Sequence, residues 1–346
     1  MTTTTSVALI GCGFFSRNHL HSWQDLAAEG VSVVAVCDID PVKAKAAAAE
    51  FGVPRWYTDA AEMFAKERID LVDIATRMDT HRALVELAVG KGIATIVQKP
   101  FAPTYADCLA MVQAARKAKV FLAVHENFRF QAPLLRVAET LKSGAIGNPS
   151  WGRISFRTGY DIYTNQPYFF AEERFVILDL GIHVLDVARV LMGEVTRVSC
   201  ETQRRNPRVK AEDTATILMR HASGAVSLVE CTYESRRLPD TFPETMIELE
   251  GPAGGIATRP GLVMEVTRNG HLTSESLDTP LLAWTSHPWH VAQESVLNTC
   301  RHLLQRFRAG KDADISGADN LKTFALAEAA YQSNATGRAV TPPSES

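Results

Sequence analysis

No apolar run in this sequence approaches the ~18 residues that a membrane-spanning helix needs, so a helical membrane protein is not expected. No CxxC pair is present. Cysteines 12, 37, 108, 200, 231 and 300 are scattered along the chain, which excludes a disulfide framework or a zinc finger and suits reduced thiols in the cytoplasm. Charge of one sign is also missing. The chain has 36 Lys and Arg against 39 Asp and Glu, a net charge of −3, and offers no basic footprint for nucleic acid or an anionic membrane. The small cluster Arg204, Arg205, Arg208 and Lys210 reads as a solvated loop. The start, MTTTTS, has no positive charge before a short, glycine-broken apolar run, so no secretory signal is expected. No G-x-S-x-G occurs, which removes that nucleophile class. Repeats and low-complexity segments are absent as well.

A sizeable core is available, since 46% of the 346 residues are hydrophobic. That length suggests two domains. Up to residue 125, short Val- and Ile-rich runs (Val7–Ile10, Val31–Cys37, Ile69–Ala75, Ile93–Val97, Phe121–Val124) alternate with helix-like stretches (Phe14–Ala28, Pro41–Phe51, Thr80–Lys91, Thr104–Lys117). This alternation predicts a doubly wound parallel sheet, an α/β Rossmann domain. Beyond residue 126 the pattern changes. A helix near Pro133–Ser143, a run Trp151–Arg157 and a long apolar helix near Val176–Met192 come first. Strand-like runs follow at Thr196–Thr202, Thr214–Arg220, Val226–Tyr233, Thr245–Glu250 and Leu262–Arg268. Short turns between them predict a C-terminal α+β domain, residues 126–317, with an open, mainly antiparallel sheet. Helices near Val291–Arg308 and Ala318–Ser333 close the chain. The last, within 318–336, can pack back on the first domain. The tail TPPSES is expected to be disordered.

Gly11-Cys12-Gly13 lies between the first strand and the first helix. There it can cradle a pyrophosphate, or it can be only a tight corner. The full fingerprint wants a third glycine where this chain has Ser16. Asp38, at the end of the second strand, can accept hydrogen bonds from an adenosine ribose and would repel a 2′-phosphate, so NAD is favoured over NADP. The spacing from Gly11 is longer than the usual ~20 residues, and a long first helix absorbs the excess. An N-cap before Pro41 is the other role open to Asp38.

Two further places can carry chemistry. Gln98-Lys99-Pro100 follows a buried strand, at the sheet edge where ligands bind. Pro100 restricts Lys99, whose charge can hold a substrate hydroxyl and stabilise an alkoxide. An ordinary surface lysine is the alternative. In FVILDLGIHVLDVARVLM, the polar exceptions Asp179, His183 and Asp186 sit at i, i+4 and i+7 on one helix face, with Arg189 as a partner for Asp186. His183 suits acid/base work at neutral pH, and a carboxylate one turn away can orient it. A structural polar network, with Asp179 capping the helix, is the alternative, and Asp186 reads as structural. No metal site is expected: His19 and His21 do not share a helix face, and His287, His290 and Glu294 read as the start of a surface helix.

Several segments together resemble the Gfo/Idh/MocA oxidoreductases, the glucose-fructose oxidoreductase and inositol dehydrogenase family. They are GCGFF, CDID, ATRMDTH, QKP, ENFRFQAP, DLGIHVLD and SGADNLKTFALAEAAYQSNATGRAV. The resemblance covers nearly the whole chain. It implies that Gly11, Gly13, Phe14 and Phe15 line the cofactor, with Thr76, Arg77 and His81 on the loop along it and Gln98 beside it. It further implies that Lys99 binds the reacting oxygen and that His183 is the acid/base, with Asp179 in its network. Asn127 and Arg129 would stand near the domain junction and bind the substrate. Gln98 replaces the family's usual Glu, and Arg77 stands where relatives often carry Pro. The activity implied is NAD-dependent oxidation of a sugar or cyclitol hydroxyl, an aldose giving a lactone. FFSRNHLHSW is similar to the branched-pentose (apiose) subgroup. Substrate selection is expected within Arg157–Arg174, including Arg157 and Tyr160, and near Trp284–Trp289, unless those aromatics pack at an interface. The alternatives on the same scaffold are an NAD-dependent glycosidase, a non-catalytic NAD-binding regulator, and a dehydrogenase of a non-carbohydrate hydroxy compound. The open sheet implies a homodimer or homotetramer.

Overall fold

A computed structural model describes residues 4–344. The chain divides into two compact units. One runs to Asn127 and includes Ser295–Leu321; the other holds Phe128–Glu294 and resumes at Lys322.

The first unit alternates strand and helix: β1 (Thr5–Ile10), α1 (Ser16–Asp25), β2 (Val31–Cys37), α2 (Pro41–Glu50), β3 (Trp56–Tyr57), α3 (Ala60–Lys66), β4 (Leu71–Ile74), α4 (Met78–Gly90), β5 (Ala94–Gln98), α5 (Tyr105–Ala118) and β6 (Leu122–His125). The strands pair in parallel in the order β3-β2-β1-β4-β5-β6. This is the dinucleotide-fold order, with the switch point between β1 and β4. Strands β4, β5 and β6 are buried at every residue, which is why they read as unbroken apolar runs. Side-chain caps start the helices. Asp40, Asp59 and Thr104 accept from the backbone N–H groups of Val42, Glu62 and Asp107. Asp40, not Asp38, thus caps the helix at Pro41. The first helix is shorter than expected: α1 ends at Asp25, a 3₁₀ turn covers Leu26–Glu29, and Gly30 turns the chain at φ +80°. Leu9, Leu20, Val36, Ala48 and Phe51 form one core cluster beneath β1 and β2.

The second unit holds α6 (Ala132–Lys142), β7 (Trp151–Arg157), α7 (Ile182–Met192), β8 (Val195–Gln203), β9 (Thr214–His221), β10 (Val226–Thr232), β11 (Met246–Gly251), β12 (Gly254–Arg259), β13 (Val263–Arg268) and β14 (His271–Ser276). Its sheet runs β14-β13-β12-β11-β7-β10-β9-β8. The pairing is antiparallel except that β7 and β10 run parallel. Strands β3, β12 and β14 and helix α3 were not expected from the sequence. Gly254 and Gly255 open β12. Two last helices, α8 (His290–Arg308) and α9 (Gly317–Thr336), follow. In the tail, residues 341–344 carry neither helix nor strand, and 345–346 lie outside the described residues. No helix among the described residues is long and apolar enough to cross a membrane.

Helix α7 shows how the second core is built. Ten of its residues are buried, and it packs against β7 and β10. Gly152 on β7 leaves room for Met192: a Cβ there would lie 2.5 Å from the Met192 sulfur.

Gly254 sits at φ +154°, where a Cβ would fall 1.8 Å from the Thr267 carbonyl oxygen. Its partner strand must move before any side chain fits. Gly254→Ala is therefore expected to cost about 2 kcal/mol, a typical overpacking penalty, visible as a lower midpoint in thermal or urea unfolding. An unchanged midpoint would show that β12 and β13 yield without cost.

Candidate active site

The turn after β1 has one non-negotiable residue. Gly11 has φ +96°, and a Cβ on it would lie 2.5 Å from the Ala75 carbonyl oxygen. Its N–H donates to the Cys37 carbonyl at 2.8 Å, so the ends of β1, β2 and β4 meet here. Gly13 is exposed, and a Cβ there would meet no protein atom within 4 Å. Helix α1 then starts without a side-chain cap, leaving its first N–H groups for a ligand. Ser16, in place of the third glycine, is buried and donates its hydroxyl to the Gly13 carbonyl at 2.7 Å. It braces the turn rather than widening it. Phe14 is 61% exposed and Phe15 half-buried.

Asp38 ties this turn to β2. Its Oδ2 accepts from the Cys12 N–H at 2.7 Å and its Oδ1 from the Asp40 N–H at 2.9 Å. A carboxylate has about four acceptor positions, so capacity for ribose hydroxyls remains. Burial, with Asp38 beside it, pushes the Cys12 thiol up to about 12; it stays neutral in the turn. These residues fit a dinucleotide: open backbone, uncapped helix start and a fixed acid at the end of β2.

The other first-unit residues divide between surface and support. On the loop after β4, Thr76 accepts from the Thr80 hydroxyl at 2.8 Å, and Arg77 is exposed, 3.6 Å from Asp79. His81 is fully buried, with its two ring nitrogens each 3.1 Å from a backbone carbonyl oxygen, of Thr76 and of Phe101. Burial lowers its pKa despite those contacts. It braces the loop from inside and does not line the surface. Gln98, at the end of β5, is buried and accepts the Lys99 N–H at 2.8 Å. The amide that replaces the family's Glu thus holds the backbone of the half-buried Lys99, whose peptide bond to Pro100 is cis. Asn127 is buried and donates to the Ser295 hydroxyl at 2.6 Å.

In the second unit, DLGIHVLD does not form a plain α-helix. Residues Ile177–Gly181 make a π turn, and α7 starts only at Ile182. Asp179 accepts from the Tyr233 hydroxyl at 2.8 Å, and the cap positions fall to Val176 for the π turn and Gly181 for α7. Burial, then the Asp179 charge, holds Tyr233 well above its ordinary pKa, so it remains a donor. His183 is 4% exposed and stacks on Phe128, ring centroids 3.7 Å apart and planes 6° off parallel. From Phe128 an aromatic row continues through Phe156 (5.8 Å) to Phe242 (6.3 Å), which stacks on Tyr160 (4.1 Å). Trp289 sets its edge against Phe242 and Tyr160.

Two expected substrate contacts are engaged elsewhere. Arg129 makes a bidentate pair with buried Asp186, at 2.7 and 2.5 Å, and Thr323 also donates to Asp186 at 2.8 Å. Arg157 follows Phe156 on β7 and so points to the opposite face of the sheet, where it lies 3.6 Å from Glu230. Sequence reasoning missed Phe128, Tyr233 and Phe242. Phe128 lay within the quoted ENFRFQAP, but spacing alone carried no sign that its ring meets His183.

Residues 5–126 match the oxidoreductase family with an NAD-binding Rossmann fold, and residues 134–257 match the GFO/IDH/MocA C-terminal domain. The chain belongs to the Gfo/Idh/MocA oxidoreductases. It is an NAD-dependent member, as the fitted cofactor turn requires. A D-apiose dehydrogenase of Rhizobium rhizogenes is 48% identical over 96% of each chain. Another, of Paraburkholderia graminis, is 49% identical over 98% of this chain and 91% of its own. An oxidoreductase from Agrobacterium radiobacter, solved with NAD+, L-tartaric acid and magnesium, superposes with a TM-score of 0.96 at 47% identity over 98% of each chain.

The Arg129–Asp186 pair gives this family member a pH-dependent brace. Burial alone would raise the Asp186 pKa, but the Arg129 charge and its hydrogen bonds, with Arg189 and Thr323, leave it lowered. A lowered native pKa means the stabilisation is fully present above the ordinary carboxylate value of ~4 and is lost as pH falls through the native value. Asp186→Asn strands a buried guanidinium and is expected to cost about 3–5 kcal/mol at neutral pH. Urea unfolding from neutral to acid pH checks this: the variant should lose less stability on acidification than the parent. Parallel pH curves would remove Asp186 as the titrating brace.

Proposed function

We propose that this oxidoreductase oxidises a hydroxyl of an aldose, with D-apiose the first candidate and a lactone the product. The observation that carries the reading is His183, buried and stacked at one end of an aromatic row that includes Phe242, Tyr160 and Trp289. Aromatic faces suit the C–H faces of a sugar, and an imidazole suits its hydroxyl proton. The relatives named D-apiose dehydrogenases, similar over nearly the whole chain, support the choice of sugar.

The roles follow from the residues. Gly11, Gly13, Phe14, Phe15 and Asp38 hold NAD, with Thr76 and Arg77 on the adjoining loop. NAD, when bound, supplies the hydride acceptor. Lys99 binds the reacting oxygen and offsets the negative charge that grows on it. His183 takes the hydroxyl proton at a ring nitrogen, and Phe128 keeps the ring from turning. Asp179, oriented by Tyr233, belongs to the same polar group. Gln98 sets the Lys99 backbone, and Arg129 is a positioning residue that acts through Asp186. In this reading the segment to residue 125 is the cofactor domain and residues 126–317 are the substrate and oligomerisation domain. A cytoplasmic setting suits the free cysteines; recovery of the native protein from a secreted fraction would contradict it.

NADH formation, with NAD and with NADP, across aldoses and inositols tests the reading. D-apiose with NAD should turn over best. Lys99→Ala should lower kcat about 10²–10³-fold while NAD still binds. His183→Asn should lower it about 10²–10⁴-fold and abolish the pH dependence carried by the base. NAD binding without turnover of any sugar would favour a regulator. Aryl-glycoside cleavage without NADH build-up would favour a glycosidase.

The same reading makes the chain a homodimer or homotetramer. Leu218 on β9 and Leu272 on β14 are 50% and 63% exposed, and a second copy would cover such a sheet face. Sedimentation equilibrium should return a multiple of 37.9 kDa; a monomer at micromolar concentration would overturn this.

A further inference from the structure

A second polar group lies inside the first unit, behind the cofactor turn: the His19 ring meets Phe15 edge-on at 5.6 Å, and His125 pairs with Gln98 across β5 and β6. It joins four elements remote in sequence: His19 on α1, Asp73 on β4, His125 at the end of β6 and Cys300 on α8. All four side chains are completely buried. Asp73 Oδ2 accepts the Trp23 indole N–H at 2.8 Å and lies 2.8 Å from His19 Nδ1. The His19 and His125 rings are 4.2 Å apart, centre to centre. His125 Nε2 is 3.7 Å from the Cys300 sulfur. One ligand atom from each of His19, His125 and Cys300 fits within a span of 4.8 Å.

The group is not closed by its own hydrogen bonds. Among the described residues, His19 Nε2, His125 Nδ1 and Asp73 Oδ1 are buried without a hydrogen-bond partner. Buried polar atoms are normally satisfied, so three open atoms in one cluster ask for something more. The donors present say what. Two imidazoles and a thiolate are ligands for zinc, and in a tetrahedral zinc site N and S ligands stand about 3.3–3.6 Å apart. The His125–Cys300 distance of 3.7 Å lies just above that range. Small side-chain rotations bring in the third ligand. Asp73 supplies the usual support for such a site: a carboxylate that takes the N–H of a ligating histidine on the side away from the metal. Trp23 in turn fixes the carboxylate.

We propose that His19, His125 and Cys300 bind a zinc ion, with Asp73 orienting His19. On binding, the Cys300 S–H bond breaks, its electron pair forms the S–Zn bond and the proton leaves to solvent. The ion's two positive charges then balance the Cys300 thiolate and the Asp73 carboxylate, so no net charge is buried. The site is structural. It pins α1, the helix that follows the Gly11–Phe15 turn, to β4, β6 and α8. Spacing rules for zinc motifs cannot find it, because its ligands stand at residues 19, 125 and 300.

The test uses full-length, tag-free protein expressed in zinc- or cobalt-supplemented medium, so that metal is present while the chain folds. After dialysis against metal-free buffer, elemental analysis should find zinc stoichiometric with the chain. The cobalt form should show a thiolate-to-cobalt charge-transfer band and intense visible ligand-field bands. Cys300→Ser should lose the charge-transfer band and His125→Gln the stoichiometric metal, with far-ultraviolet circular dichroism checking the fold. If either variant fails to fold, the parent's own cobalt spectrum decides. Metal-free parent protein from both media, or a cobalt spectrum without a thiolate band, would overturn the proposal. So would a spectrum that Cys300→Ser leaves unchanged, because the metal would then sit on surface histidines.

Discussion

The rest of the first unit depends on how closely the backbone passes at Gly11. The 2.5 Å clearance to the Ala75 carbonyl and the bond to the Cys37 carbonyl bring three strand ends together at the switch point. Only a residue without a Cβ, at positive φ, can stand there. Everything that serves a dinucleotide follows from this corner. The exposed Gly13, the uncapped start of α1 and the Asp38 carboxylate held by the Cys12 N–H are placed by it. Lys99 emerges at the same carboxyl edge of the sheet, on a backbone fixed by Gln98.

The second unit meets a different constraint. A helix as apolar as α7 can be buried only if its few polar groups find partners. Asp186 finds Arg129 and Thr323, Arg189 finds Thr323 and Glu194, and Asp179 finds Tyr233. His183 also stacks on the flat ring of Phe128. The Asp186 and Arg189 charges of this stripe are therefore structural, and the histidine stands against an aromatic face suited to chemistry. Widening the helix into a π turn just before it is the local distortion that separates the two uses.

How much was legible in the sequence depended on periodicity and length. The buried parallel strands stood out because both faces are covered. Strand β3 has only two residues, too few to show a pattern. Strand β12 opens with two glycines, and β14 is mostly exposed and polar; neither alternates in a readable way. The parallel β7–β10 pair could not be read, since pairing direction across a long separation leaves no local trace. Among site residues, the Gly11 turn, Asp38, Lys99 and the polar exceptions of α7 were visible as residue types in telling places. The engagement of Arg129 with Asp186, the inward position of His81 and the opposite face taken by Arg157 were not, because each depends on a partner or a strand face that only tertiary structure supplies. Asp73, an acid inside an apolar strand run, was the overlooked signal of a buried polar group.

In the proposed reaction the hydrogen on the carbon bearing the reacting hydroxyl passes directly to bound NAD. D-apiose carrying deuterium at its anomeric carbon tests this in one turnover. Mass spectrometry of the reduced cofactor should find the deuterium in NADH, with the sugar converted to its lactone. Sugar left unoxidised, or NADH formed without the label, would contradict the account.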